Sequence, residues 1–151
     1  MISHTPPDPH FETRVRASFA RQKVMGTIGA RLSSVLPGEV TIELPVQESL
    51  TQQHGFVHAG IVTTIVDSAC GYAAFSLMPA DAAVLTVEYK VNFLSPAVGD
   101  VLIARGRVTK AGRTLTICSG DVFAVAEGRE KLIATMLATI MTIRERMGLE
   151  G

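Results

Sequence analysis

The spacing of hydrophobic residues changes several times along the chain, and each change predicts an element. Phe11, Val15 and Phe19, with Ala20, recur at steps near four, and Arg14, Arg16, Arg21 and Lys23 fall between them. A helix is therefore expected over 8–23, ended by Met25-Gly26. The period then drops to two. Val40, Ile42, Leu44 and Val46 alternate with Thr41 and Glu43, which predicts a strand over 39–46. The Pro37-Gly38 turn joins it to an earlier strand over 28–36. Residues 47–58 are polar and glycine-bearing, a loop, and a nearly unbroken apolar run from Ala59 to Met78 follows. That run reads as a helix buried on all sides and broken by Met78-Pro79-Ala80-Asp81. Four strand-like runs come next, at 84–94, 101–110, 114–126 and 131–144. They are separated by Ser95-Pro96 with Gly99-Asp100, by Ala111-Gly112 and by Glu127-Gly128.

Short turns imply antiparallel neighbours among the last four strands. A long apolar helix between a hairpin and a meander buries all its faces only if the sheet curls around it. The expected class is α+β: a curved antiparallel sheet wrapped around a long central helix, with an N-terminal helix in front. Within 84–94, Val, Tyr and Phe alternate with Thr86, Glu88, Lys90 and Asn92, giving the strand one drier and one more polar face. One domain over 11–146 is expected. The first ten residues, with three prolines and two histidines, read as a flexible lead-in, and 147–151 as a tail.

Composition narrows the partners. The chain is 47% hydrophobic and 19% charged, which argues against disorder. Fourteen basic residues balance fourteen acidic ones, so nothing global favours nucleic acid. MISHTPPDPHFETRVR has no apolar signal core, so a cytoplasmic location is expected. The run at 59–78 has the length of a membrane span, but it carries Asp67 with Thr63, Thr64, Ser68 and Ser76. A central Asp costs about 2.5–3.5 kcal/mol on insertion, so a buried helix and no membrane are expected. Cys70 and Cys118 lie far apart in apolar runs and read as buried reduced thiols.

Asp67 is the only charged group of the central helix. At the start of that helix the first-turn N–H groups are unsatisfied and the helix dipole is positive. Ala59 and Gly60 thus form a place for a carbonyl oxygen that gains charge during attack. Gly55 and Gly60 permit a tight turn and a close approach. The i,i+4 spacing of His54 and His58, with Asp67, suggests a metal set, but Gly55 and the loop separate the histidines from one helical face. No metal is expected, and His58 reads as orienting the loop by hydrogen bonding. Lys110 and Arg113 flank the turn Lys-Ala-Gly-Arg-Thr, either as a solvated tip or as an anion clamp, with Arg105 and Arg107 as weaker candidates.

In QQHGFVHAGIVTTIVD, over 52–67, the residues Gly55, His58, Gly60 and Asp67 stand at the spacing of a known pattern. The stretch resembles the PaaI-like acyl-CoA thioesterases of the hotdog superfamily. TVEYKVNFLSPA, at 86–97, is similar to that family's strand ending in F-L-x-P-A. The resemblance covers roughly 25–143. It implies a hotdog fold and hydrolysis of a small or medium acyl-CoA, aryl or aliphatic, to free acid and coenzyme A. It makes Asp67 the nucleophile or general base and Ala59/Gly60 the oxyanion hole. Gln52 becomes a second donor, and Thr86 a group that holds the water or the carboxylate. Gly55 and His58 shape the substrate loop, while Lys110 and Arg113 meet the phosphates of coenzyme A. The family pattern has Asn at Gln52 and Gly at Ala59, so two positions depart from it.

No cofactor is implied, since coenzyme A belongs to the substrate. Asp67 lies eight residues after Ala59, about 12 Å along a helix, too far for one subunit to aim both at one carbonyl. The resemblance implies that opposite subunits of a homodimer supply them, with two dimers commonly forming a tetramer. Two alternatives stand beside this reading. One is a non-catalytic acyl-CoA-binding module. The other is a hotdog hydratase or dehydratase with His58 paired to an acid, although the usual D-x-N-x-x-H run is absent.

Overall fold

The apolar run at the middle of the chain forms α3 over Ala59–Phe75. Its Ile65, Val66, Ala69, Cys70, Ala73, Ala74 and Phe75 have no exposed surface. In the computed structural model, which describes residues 3–144, 148, 149 and 151, this helix is held in the curve of a six-stranded sheet. Two helices lead in, α1 over Phe11–Arg21 and α2 over Lys23–Ile28. The strands are β1 Arg31–Leu36, β2 Glu39–Pro45, β3 Ala83–Phe93, β4 Val101–Lys110, β5 Leu115–Ala126 and β6 Arg129–Ile143. All pairings are antiparallel, in the order β1-β2-β4-β5-β6-β3.

That order corrects one expectation. β3 does not lie beside β4; it pairs with β6 and ends the sheet. The connection over 94–100 crosses the end of the sheet instead of folding back. Leu94 N–H donates to Ile133 O on β6, Asp100 N–H donates to Val125 O on β5, and Ala97 O accepts from Val57 N–H. The strand thus leaves at one edge and the chain re-enters three positions away, about 14 Å at ordinary strand spacing.

The lead-in differs as well. Met25-Gly26 does not end the first helix; Gln22, extended at ψ 93°, separates α1 from α2, which runs through Gly26. Met25 and Ile28 are buried against the core, and this packing outweighs the weak helix propensity of glycine. The stop falls on Gly29, at φ 79°, where the left-handed conformation suits glycine. β1 accordingly starts at Arg31 and not at Ile28. Ahead of α1, Asp8 is buried and accepts from Arg14 Nε at 2.8 Å. Arg14 Nη2 donates to Met78 O at 2.8 Å, and its guanidinium lies 4.2 Å from the Phe75 ring centroid. A cation from α1 therefore closes the carbonyl end of α3, where the dipole favours positive charge.

Two glycines let α3 lie against the sheet. Gly106 on β4 and Gly120 on β5 are cross-strand partners. A Cβ on Gly106 would stand 2.3 Å from the Ala69 carbonyl carbon, and one on Gly120 would stand 2.6 Å from Val66 Cγ2. Cys70 and Cys118 are both buried and free beside this contact. Burial pushes the Cys118 thiol up to about 12 and the Cys70 thiol well above its ordinary value. Among the described residues no helix is long and apolar enough to cross a membrane.

Candidate active site

The loop before α3 is shaped by its own backbone. Gln52 N–H donates to Phe56 O at 2.8 Å and Gly55 N–H to Gln52 O at 2.9 Å, with Gly55 at φ 82°. That conformation requires glycine, so Gly55 acts by turning the chain. His58 N–H donates to Leu50 O at 2.9 Å, and a bridge joins Thr51 to Val57. His58 is the N-cap of α3, and its Nδ1 accepts from Gly60 N–H at 2.8 Å. The ring thus caps the first turn of α3 by hydrogen bonding.

This cap divides the roles of the first helical turn. Gly60 N–H is engaged with His58, while Ile61 and Val62 N–H both donate to His58 O. Ala59 N–H has no partner among the described residues. Of the pair expected to face a ligand, Ala59 therefore holds the free donor. Gly60 contributes by having no side chain, since a Cβ there would meet His58 Nδ1 at 3.1 Å. Gln52 Oε1 accepts from His54 N–H, which leaves its Nε2 without a partner among the described residues. Gln52, His58 and Ala59 line one cleft of about 610 Å³ with Phe56 and Phe93. Removing the cap is expected to cost about 1 kcal/mol: His58→Ala lowers the urea midpoint with an unchanged slope.

Asp67 lies two turns further along α3. Thr86 Oγ1 donates to Asp67 Oδ1 at 2.8 Å, the one hydrogen bond to that carboxylate among the described residues. A register shift makes this contact possible. Thr86 pairs with Ile140, but Glu88 pairs with Thr139, so Val87 is an extra residue in the ladder. The bulge turns Thr86 to the helix-facing side with Tyr89, Val91 and Phe93, while Glu88 faces outward and accepts from Thr139 Oγ1 at 2.8 Å. The alternation expected from the sequence, which set Thr86 with Glu88, is thereby corrected.

Burial raises the Asp67 carboxyl above its ordinary value, and the Thr86 hydrogen bond pulls it part of the way back. The sign for stability follows directly. The native state binds this proton more tightly than the unfolded chain, so stability falls as pH rises from the ordinary value of 3.8 through the raised one. Asp67→Asn is therefore expected to melt higher than wild type at neutral pH. Calorimetric scans should show the gap closing as pH falls toward 3.8.

Asp67, Ser68 and Gln22 stand between two further clefts, of about 360 and 520 Å³. The larger runs along α3 past Thr64, Thr63 and Gly60 to Ala59, bounded by Tyr89, Val91 and Phe93 of β3. One groove therefore touches both the carboxylate and the free N–H, at points about 12 Å apart along the helix. β3 is the edge strand beside it and is uncovered: Leu85, Val87, Tyr89 and Phe93 keep 45–50% of their surface exposed.

The cationic candidates lie elsewhere. Arg105 pairs with Glu130 at 2.6 Å and Arg107 with Asp121 at 2.6 Å, so both are engaged on the outer sheet face. Arg113 lines a separate shallow cavity with Thr114, Thr142 and Arg144, and Lys110 is exposed at the end of β4. Neither shares a cleft with Ala59 or Asp67 of the same chain. Gln22 and Ser68 were not found from the sequence. Gln22 belongs to no motif, and its partner Ser68 is 46 residues away in the chain.

The family model of the thioesterase superfamily matches residues 54–130. Human acyl-coenzyme A thioesterase 13 is 33% identical over 114 residues, covering 75% of this chain and 78% of its own. A thioesterase family protein from Silicibacter pomeroyi, known as a crystal structure, superposes with a TM-score of 0.88. It is 56% identical and covers 89% of this chain and 99% of its own. The PaaI protein of Escherichia coli, at 20% identity and a TM-score of 0.78, shares the fold over 93% of this chain and 95% of its own. The chain belongs to the thioesterase superfamily: it has the hotdog fold and is a thioester hydrolase.

Proposed function

We propose that the protein hydrolyses acyl-CoA thioesters to a carboxylic acid and free coenzyme A, with Asp67 as the catalytic carboxylate. The observation that carries this reading is a half-buried carboxylate, held by Thr86, in a groove that also reaches the unpaired Ala59 N–H. As the thioester carbonyl is attacked its oxygen gains charge, and the Ala59 N–H with Gln52 Nε2 supplies donors for it. Asp67 attacks the carbonyl carbon or takes the proton of the water that does. Thr86 favours the ionised carboxyl against the effect of burial. The chemistry calls for no metal and no cofactor beyond the coenzyme A of the substrate.

The functional unit is a homodimer. β3 offers an unpaired edge with exposed apolar side chains, a surface that pairing with a second copy would cover. A two-fold axis at that edge brings the Ala59 N–H of one chain toward Asp67 of the partner subunit, which removes the 12 Å gap. Two such dimers form the tetramer. Lys110 and Arg113 then meet the coenzyme A phosphates from outside the groove, in a protein that works in the cytoplasm.

The test is thiol release from aliphatic and aryl acyl-CoAs. Turnover of any of them well above the buffer rate supports the reading. If none is turned over while acyl-CoA raises the melting temperature, the protein is a binding module. Thr86→Val sharpens the test. Loss of one hydrogen bond to a charge, about 1.5–3 kcal/mol, should lower kcat/KM by about tenfold or more. It should also move the acid limb of the pH–rate profile upward, because desolvation is then unopposed. An unmoved limb would separate Thr86 from the carboxylate that titrates.

A further inference from the structure

Three residues border both of the clefts that flank the carboxylate: Gln22, Asp67 and Ser68. Asp67 and Ser68 have their places from α3, but Gln22 is the single extended residue between α1 and α2, at φ −76° and ψ 93°. Its backbone is fixed from both sides. Gln22 N–H donates to Phe19 O at 3.0 Å, and Gln22 O accepts from Met25 N–H at 3.1 Å. Val15 on α1 and Met25 on α2 are buried in the core, so the break between the helices is held with them. Ser68 is 8% exposed, and its Oγ donates to Gln22 Oε1 at 3.4 Å. With that oxygen turned to Ser68, the amide Nε2 is left without a partner among the described residues. Asp67 is its complement. Thr86 Oγ1 engages Oδ1, and Oδ2 has no partner among the described residues. Neither free atom is sealed in protein: among the described residues, the one unpartnered side-chain nitrogen or oxygen shut away from solvent is Arg14 Nη1. A free donor and a free carboxylate oxygen therefore open on one junction.

We infer that Gln22 Nε2 and Asp67 Oδ2 together hold the water that attacks the thioester, so that Gln22 is a catalytic residue and Asp67 acts as the base. The inference rests on the thioesterase reading above and chooses between the two roles open to Asp67 there. A water offers two protons and two lone pairs. One proton goes to Asp67 Oδ2, one lone pair accepts from Gln22 Nε2–H, and the other lone pair is left to attack. A water held by the carboxylate alone would swing about that contact, whereas two anchors fix the direction of attack. As the O–H bond breaks, its proton moves to Asp67 and a C–O bond forms at the carbonyl carbon. The displaced electron pair goes to the carbonyl oxygen. On collapse of the tetrahedral centre the C–S bond breaks, and the coenzyme A sulfur leaves with the proton that Asp67 held. The second proton of the water stays with the acid. An amide suits this place better than a cation. Lys or Arg here would pair with Asp67 and lower its basicity, while an amide donates without doing so. The junction also touches both clefts, so the water reaches the carbonyl whichever of them holds the acyl group.

The experiment takes wild type, Gln22→Ala, Gln22→Glu and Ser68→Ala through thiol release with the aliphatic and aryl acyl-CoAs above, and through binding of their non-hydrolysable thioether analogues. Gln22→Ala should lower kcat by about 10- to 100-fold, the effect of losing one hydrogen bond in the transition state. The Kd of the thioether should stay within about twofold of wild type, because the lost contact is to water and not to the acyl group. Gln22→Glu keeps the shape and the acceptor for Ser68 but has no N–H. The same loss of kcat is expected from it, which carries the test if the alanine variant folds poorly. Ser68→Ala leaves the amide free to turn and should lose less, about three- to tenfold. A kcat within about twofold of wild type in both Gln22 variants overturns the assignment. So does a Kd that weakens as far as kcat falls, which would make Gln22 a binding or structural residue. Single turnover in ¹⁸O-water, with enzyme in excess, adds a readout that folding does not move. Label is expected in the released acid and not in Asp67. Label in the Asp67 carboxyl would show an anhydride intermediate and overturn the water seat while leaving the thioesterase reading intact. No thiol release by wild type rejects both.

Discussion

Asp67→Asn is expected to lower kcat for acyl-CoA hydrolysis by at least about 100-fold, the size of effect that follows loss of a positioned general base or nucleophile. The substitution keeps the side-chain volume and leaves an amide oxygen to accept from Thr86 Oγ1, so the bulge and the groove stay in place. It removes only the ability to carry negative charge and bind a proton. Because the raised carboxyl costs stability at neutral pH, the variant should melt higher while turning over slower. Steady-state thiol release and calorimetry on one preparation check both halves. A loss below about tenfold would remove Asp67 from the chemistry. Mixed dimers test the shared site in addition. If Gln52 of one subunit works with Asp67 of the partner subunit, Asp67→Asn and Gln52→Ala chains assembled together contain one site with both native residues. Activity above that of either variant alone is then expected, and its absence would place both groups in one chain.

The largest stability effect is expected at Gly106. A Cβ there would lie 2.3 Å from the Ala69 carbonyl carbon, 2.4 Å from its oxygen and 2.5 Å from Cys70 N. These are backbone atoms in the middle of α3, so no side chain can turn away and the helix itself must lift from the sheet. Added core volume commonly costs about 1–3 kcal/mol, and a clash with backbone belongs at or above the upper end. Gly106→Ala should therefore lower Tm by roughly 6–12 °C, at about 2–4 °C per kcal/mol for a chain of this size. Gly120→Ala is the internal comparison, because its Cβ would meet side-chain tips, Val66 Cγ2 at 2.6 Å and Cys70 Sγ at 2.7 Å. Those tips can shift, so the smaller loss is expected there. Equal melting temperatures for Gly106→Ala and wild type would mean that α3 has slack against the sheet.

The elements were legible because periodicity is local. A helix repeats every 3.6 residues and a strand every two, whatever the rest of the chain does. The central helix, the hairpin turn at Pro37-Gly38 and the turn at Glu127-Gly128 are all where the pattern placed them, the last with φ of 51° and 72°. The family motif around Asp67 was legible for a related reason, since its residues lie within one loop and the helix that follows.

Contacts between distant segments were decided by the tertiary structure. Which strand receives β3 depends on a loop crossing the sheet end, and no spacing in 84–94 records that β6 is its neighbour. The bulge at Val87 moves Thr86 to the other face, and it is visible only once the two strands are in register. The pairing of Arg105 with Glu130 and of Arg107 with Asp121 likewise joins residues on different strands. Gly106 and Gly120 are ordinary strand glycines until α3 lies on them. Chain-local repetition therefore set the kinds of element and their order. Register and packing, which depend on residues far apart in sequence, set which side chains meet at Asp67 and which N–H of the first turn stays free.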